Sequence, residues 1–103
     1  MKAMKLKIGK TTYKVSEIAT LEPPLVRGRI SYRNQTIHIA DRAGVPRRKR
    51  SVAGKYHTLW HEIVHGVLED MGSAKYKDEV FVDELAKRII QVNKQLETVW
   101  QKP

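Results

Sequence analysis

The chain has 103 residues, 41% of them hydrophobic and 30% charged, with a formal net charge of +9. That length supports one domain with a modest core, and that composition belongs to a globular protein rather than a disordered tail. It contains no cysteine, which excludes disulfides and thiolate metal sites, so any metal must be held by nitrogen and oxygen.

No window approaches the eighteen or so consecutive apolar residues of a membrane-spanning helix. The opening "MKAMKLKIGK" alternates Lys with apolar residues where a signal peptide would carry an apolar run, so the expected location is cytoplasmic. Twenty Lys and Arg stand against eleven Asp and Glu. Such an excess suits nucleic acid or another polyanion as partner, although it is spread along the chain and serves solubility equally well.

In chain order, Lys5–Ile8 and Thr12–Val15 alternate polar with apolar residues around Gly9-Lys10, which predicts a hairpin with one buried face. "EPPL" at 22–25 breaks the pattern, since Pro23 and Pro24 can continue neither helix nor ladder. Arg29–Tyr32 and Thr36–Ile39 alternate again around Asn34-Gln35, a second hairpin. The first forty residues therefore predict a small antiparallel sheet of three or four strands.

A helix follows. Leu59, Trp60, Ile63, Val64, Val67, Leu68 and Met71 recur at spacings of three and four, and Gly72 suits the position after a helix end. The pattern is secure from Ser51 to Met71; Pro46 is suited to a first helical turn, so the helix-bearing segment is drawn as 46–72. A second helix is predicted from Lys77 to Val99. Its seam of Val82, Leu85, Ile89, Val92, Leu96 and Val99 is assigned to core packing, with a coiled-coil dimer as the other use of the same spacing.

Within the first helix stands His61-Glu62-x-x-His65. Residues four apart lie about 40° apart around the axis and one turn along it, so both imidazoles can reach one ion. Glu62 lies at the flank of the pair, where a carboxylate can take a proton from water without occupying the metal. A third ligand has to come from the second helix, where Glu79 and Asp83 share one face a turn apart; without a metal, the same acidic start simply favours the helix dipole. His57, one turn before His61, either extends the polar stripe or is solvated, while His38 and Trp60 read as structural. Arg47, Arg48, Lys49 and Arg50 form the densest positive charge and the candidate anion-binding run.

From "QTIHIADRAGVPRRKRSVAGKYHTLWHEIVHGVLEDMG" through "DEVFVDELAKRIIQV", and in the opening "IGKTTYKV" and "GRISYRNQTIHI", the chain resembles small phage- and prophage-encoded HExxH zinc metallopeptidases, themselves similar to compact ImmA/IrrE-type zincins. The resemblance is strongest at Leu59–His65 and Val82–Ala86. It implies an α+β fold, with a short sheet packed on the motif helix and the second helix closing the site. It also implies zinc on His61 and His65 with Glu62 as general base. The relatives' acidic ligand stands three residues before an alanine, which falls on Asp83 before Ala86; they usually carry glutamate there, and the shorter aspartate would need a closer helix or yield to Glu79.

The leading expectation is thus a zinc-dependent peptidase selective for a protein or peptide partner, since so short a chain offers little wall for a general cleft. The alternative is an inactive, basic adaptor binding nucleic acid or protein, and a dimerisation module without a site ranks last.

Overall fold

The computed structural model describes residues 3–99. Four strands, β1 (Met4–Ile8), β2 (Thr11–Ile18), β3 (Gly28–Ser31) and β4 (Thr36–Ala40), form one sheet in the order β1-β2-β4-β3. Two-residue strands β5 (Arg42–Ala43) and β6 (Arg48–Lys49) pair separately. Helix α1 (Val52–Asp70), a 3₁₀ turn at Ala74–Lys77 and helix α2 (Glu79–Val99) complete an α+β architecture. No helix among the described residues is long and apolar enough to cross a membrane.

Both predicted hairpins form, as β1–β2 and β3–β4. The sheet is nevertheless mixed rather than antiparallel, because β4 enters between β2 and β3 and runs parallel to β2. The reason is burial. Tyr13 and Val15 of β2 and Ile37, Ile39 and Ala40 of β4 are at most 2% exposed, so these two strands take the centre, and Val15 lies directly beside Ile37. The Lys-rich β1 and the short β3 are left as edges, where charge also discourages unwanted strand pairing. The proline segment after β2 carries the chain past the position that β4 later fills.

Helix α1 covers one face of this sheet. Leu59 and Ile63 pack on Ile8, Tyr13, Val15, Ile37 and Ile39, while Val64 and Leu68 turn towards Val82 and Ala86 of α2. Ser51 caps α1 by accepting from the Gly54 N–H, and Gly72 follows the helix end at φ 70°, the left-handed turn anticipated for it.

The segment 46–51 is not helical, contrary to the wider boundary. The backbone from Asp41 to Arg50 instead folds back as the β5–β6 hairpin, closed by a bond from Arg50 N–H to Asp41 C=O. The second helix also starts later than predicted. Ala74–Lys77 is taken by the 3₁₀ turn, and Asp78 accepts from the Phe81 N–H to open α2. Core packing holds only for the first half of the α2 seam. Val82 is fully buried and Leu85 and Ile89 are half-buried, but Val92, Leu96 and Val99 are all more than half exposed.

Lys55 ties α1 to the sheet, donating to Glu17 of β2 and to Asp41 just beyond β4, the latter at 2.8 Å. Hydrogen bonds from its ammonium hold both carboxyls below their ordinary range. A depressed carboxyl contributes stability above its unfolded pKa and loses it as pH falls through the folded one. Lys55→Met is therefore expected to lower Tm at pH 7, with the gap to wild type closing in thermal melts below about pH 4.

Candidate metal centre

Two i, i+4 rows of α1 face different neighbours. Thr58 and Glu62 point at the sheet, beneath Gly28 of β3. His57, His61 and His65 point at the start of α2. Strand β3 can lie so close only because residue 28 lacks a side chain. A Cβ there would stand 2.4 Å from Thr58 Cγ2 and 3.1 Å from Glu62 Oε2. Gly28→Ala is expected to cost about 1–3 kcal/mol through this overlap, read as a lower urea midpoint, and Thr58→Ala in the same chain should recover part of the loss.

The 3₁₀ turn and the Asp78 cap bring the first turn of α2 against the histidine row. His65 Nδ1 is 2.6 Å from the Tyr76 carbonyl oxygen. That oxygen can only accept, so Nδ1 carries the proton, and in the neutral ring Nε2 presents a lone pair. His61 Nδ1 faces Asp83 Oδ1 at 3.4 Å, which favours the same tautomer. The two Nε2 atoms are 3.2 Å apart, and Glu79 Oε1 lies 2.8 Å from that of His61 and 3.1 Å from that of His65.

Two imidazole lone pairs and a carboxylate oxygen converging in this way repel one another unless a cation or a proton stands among them. The separations approach the roughly 3.3 Å between neighbouring donors of a tetrahedral ion with bonds near 2.05 Å. His61, His65 and Glu79 thus form a group that could hold a metal ion. Asp83, the acid favoured from sequence, stands outside that group. It contacts His61 Nδ1, lies 3.2 Å from His57 Nε2, and is 3.1 Å from Lys87. Its position is that of a residue orienting His61, an arrangement common around metal-binding histidines.

Electrostatics distinguish the three acids. For Glu79, burial pushes the carboxyl up, but the facing His61 and His65 rings, which donate to it from Nε2 only in their protonated forms, outweigh that and hold the group low. Asp83 is likewise held low against the effect of burial, chiefly by Lys87. Glu62 goes the other way. It is 7% exposed, and burial drives its carboxyl up, with Glu79 adding to the rise and His61 and His65 opposing it. A carboxyl destabilised in its charged form, lining a cleft beside a group that could hold a metal, makes this a candidate functional site.

These residues open onto a cleft of about 720 Å³. One wall is the free edge of β3, and the other carries His57, His61 and Glu79. The Arg27 C=O accepts from the Ala40 N–H, and the β3–β4 register continues from that pair. By antiparallel alternation, Gly28 and Ile30 therefore turn their N–H and C=O groups away from β4, towards the cleft. Tyr32 and Tyr76 also line the cleft, with ring centroids 5.8 Å apart, and burial raises the Tyr32 hydroxyl pKa well above the usual phenol range.

The basic run is divided by the fold. Arg47 pairs with Glu22 and donates to the Leu21 carbonyl. Arg50 donates to the carbonyls of Arg27, Ala40 and Gly54 and to Thr58. Two of the four candidate anion-binding side chains thus fasten loops to the core, while Arg48 and Lys49 remain exposed on β6. Sequence reasoning had no access to the Tyr76 carbonyl, which any residue could supply, or to the edge formed by β3; an isolated glycine at the start of a strand was the one available sign of a close approach.

Comparison of the chain with family models, with curated proteins and with solved structures gave no significant match.

Proposed function

We propose that the protein is a zinc-dependent peptidase acting on an extended segment of a partner protein. One observation carries this reading. Two imidazole nitrogens and the Glu79 oxygen meet within 3.2 Å of one another, in the cleft that Glu62 and the free edge of β3 also line. The donor chemistry, two nitrogens and one carboxylate oxygen, is that of catalytic zinc sites, which use three protein ligands and leave a position open. When bound, zinc would polarise a carbonyl and lower the pKa of water towards about 7.

The chain's own residues supply the rest. His65 is held by Tyr76 and His61 by Asp83, so neither imidazole has to reorganise. Glu62, displaced towards the sheet rather than into the donor group, would accept a proton from the attacking water and return it to the leaving amine. Its raised pKa brings it closer to a working pH near neutrality, where a general base is most effective. The outward N–H and C=O groups of Gly28 and Ile30 can pair with an extended backbone, as exposed sheet edges do. That favours a peptide over a small ester or a sugar. The sequence resemblance to small HExxH peptidases supports the same reading.

The test is incubation of zinc-loaded protein with a proteome-derived peptide library, reading new N-termini by mass spectrometry. Cleavage at a restricted set of sites, stopped by chelation and restored by zinc, is expected. Cleavage that survives complete metal removal would rule out this chemistry.

A further inference from the structure

Among the described residues, no helix packs on the face of the sheet opposite α1, and the part of that face formed by β1 and the start of β2 is exposed. Alternation along the strands gives it Lys5 and Lys7 of β1, Thr12, Lys14, Ser16 and Ile18 of β2, Arg29 and Ser31 of β3, and Thr36, His38 and the buried Ala40 of β4, while Ile8, Tyr13, Val15, Ile37 and Ile39 point the other way into the core. The three lysines are exposed. Lys5 and Lys14 are direct partners across the β1–β2 ladder. Their Cβ atoms are therefore only about 5 Å apart, and like charges so placed destabilise a sheet. Lys7 follows Lys5 on the same face about 7 Å along the strand. Lys10 and Arg33 stand in the β1–β2 and β3–β4 turns, which the parallel β2–β4 pairing places at one end of the sheet.

Among the described residues, strand alternation puts no carboxylate on this face. Glu17 turns to Lys55 on the helix side, and Glu22 pairs with Arg47. The asymmetry extends to the whole chain. Residues 1–50 hold thirteen Lys and Arg against three Asp and Glu, whereas residues 51–103 hold seven against eight. The positive charge therefore belongs to the sheet half, while the candidate metal centre lies in the near-neutral helical half. Opposed lysines kept side by side, with no acid among them, form a surface whose strain an anionic lattice would relieve.

We propose that this open sheet face binds the phosphate backbone of nucleic acid, independently of sequence and separately from the metal centre. Among the described residues it carries no Phe, Tyr or Trp on which an unpaired base could stack. Recognition is therefore of charge spacing along a duplex, and the contacts are phosphate contacts rather than base contacts.

The experiment is fluorescence anisotropy with a labelled DNA duplex of about 20 base pairs and mixed sequence, titrated between about 50 and 200 mM salt. Each neutralised phosphate contributes about 0.9 to the slope of log affinity against log salt, so three lysine contacts imply a loss of at least about 40-fold over that range. Lys5→Gln, Lys7→Gln and Lys14→Gln combined are expected to flatten the slope by about 2.7. The same variant should take up metal normally and melt no lower than wild type, since the opposed pair is removed. Three results would overturn the proposal: no duplex binding at the lower salt; an unchanged slope in the triple variant, with the loss produced by Arg48→Gln and Lys49→Gln; or binding to anionic lipid vesicles but not to the duplex.

Discussion

Metal-stripped wild-type protein is expected to take up one zinc ion per chain in native mass spectrometry, and His65→Ala none. The size of the effect follows from geometry. His65 is 5% exposed and its ring is fixed through Nδ1 by the Tyr76 carbonyl, so its Nε2 is committed to the point where His61 and Glu79 converge. Removing it leaves two donors on separate helices and a buried gap between them.

Zinc at about a hundred times its Kd should add about 2.7 kcal/mol of stability. For a domain of this size that is a rise in Tm of roughly 10–20 °C, absent in His65→Ala. The same titration separates the two acids. Glu79→Ala should behave like His65→Ala, because it removes the carboxylate oxygen that touches both Nε2 atoms. Asp83→Asn should still bind, about 10–100-fold more weakly, since it loses only the partner that orients His61. The reverse order would place Asp83 in the donor set and Glu79 outside it.

That choice between Glu79 and Asp83 marks the boundary of what the sequence discloses. The motif helix is legible because its signals are local: a Ser51 cap, an apolar stripe at helical spacing, and a glycine where the chain turns left-handed. His61 and His65 inherit that certainty, as four residues on a helix can only share a face. Glu79 and Asp83 share a face by the same rule, so spacing cannot rank them. Their order is set by how α2 is delivered, through a 3₁₀ turn and an Asp78 cap that place Glu79 in the first turn against both imidazoles. A ligand pattern borrowed from the resemblance favoured Asp83, and it contains no information about that delivery.

The sheet has a similar history. Both hairpins follow from two-residue periodicity, but the insertion of β4 beside β2 depends on which strands bury most, a property of the assembled layer. The basic run divides for a related reason. Arg47 and Arg50 look like free charge in sequence, and only folding reveals the carbonyls they satisfy, whereas the lysines of β1 and β2, separated in sequence, become neighbours through pairing.

Glu62→Gln is expected to bind zinc as wild type does and to lose about 10²–10⁴-fold in peptide cleavage. The substitution keeps side-chain size and removes the ability to take a proton, while His61, His65 and Glu79 stay in place. It should not lose activity by unfolding. Glu62 is buried, and its carboxyl ionises in the fold above the usual 4.5. Below about pH 4.5 the acid is neutral whether the chain is folded or not, so glutamine gains nothing there. As pH rises from that value through the folded pKa, the unfolded chain sheds the proton while the folded one retains it, and wild type loses stability. The metal-free glutamine variant should therefore melt at the same temperature as wild type in acid and higher at pH 7.

A variant that is more stable, fully metal-loaded and inactive assigns the proton transfer to Glu62, because no loss of fold or ligand could produce that combination. A variant that is metal-loaded and still cleaves would remove Glu62 from the chemistry and leave the metal centre standing. The conserved volume of glutamine makes either result interpretable, and burial of the carboxylate beneath Gly28 would then need an explanation other than catalysis.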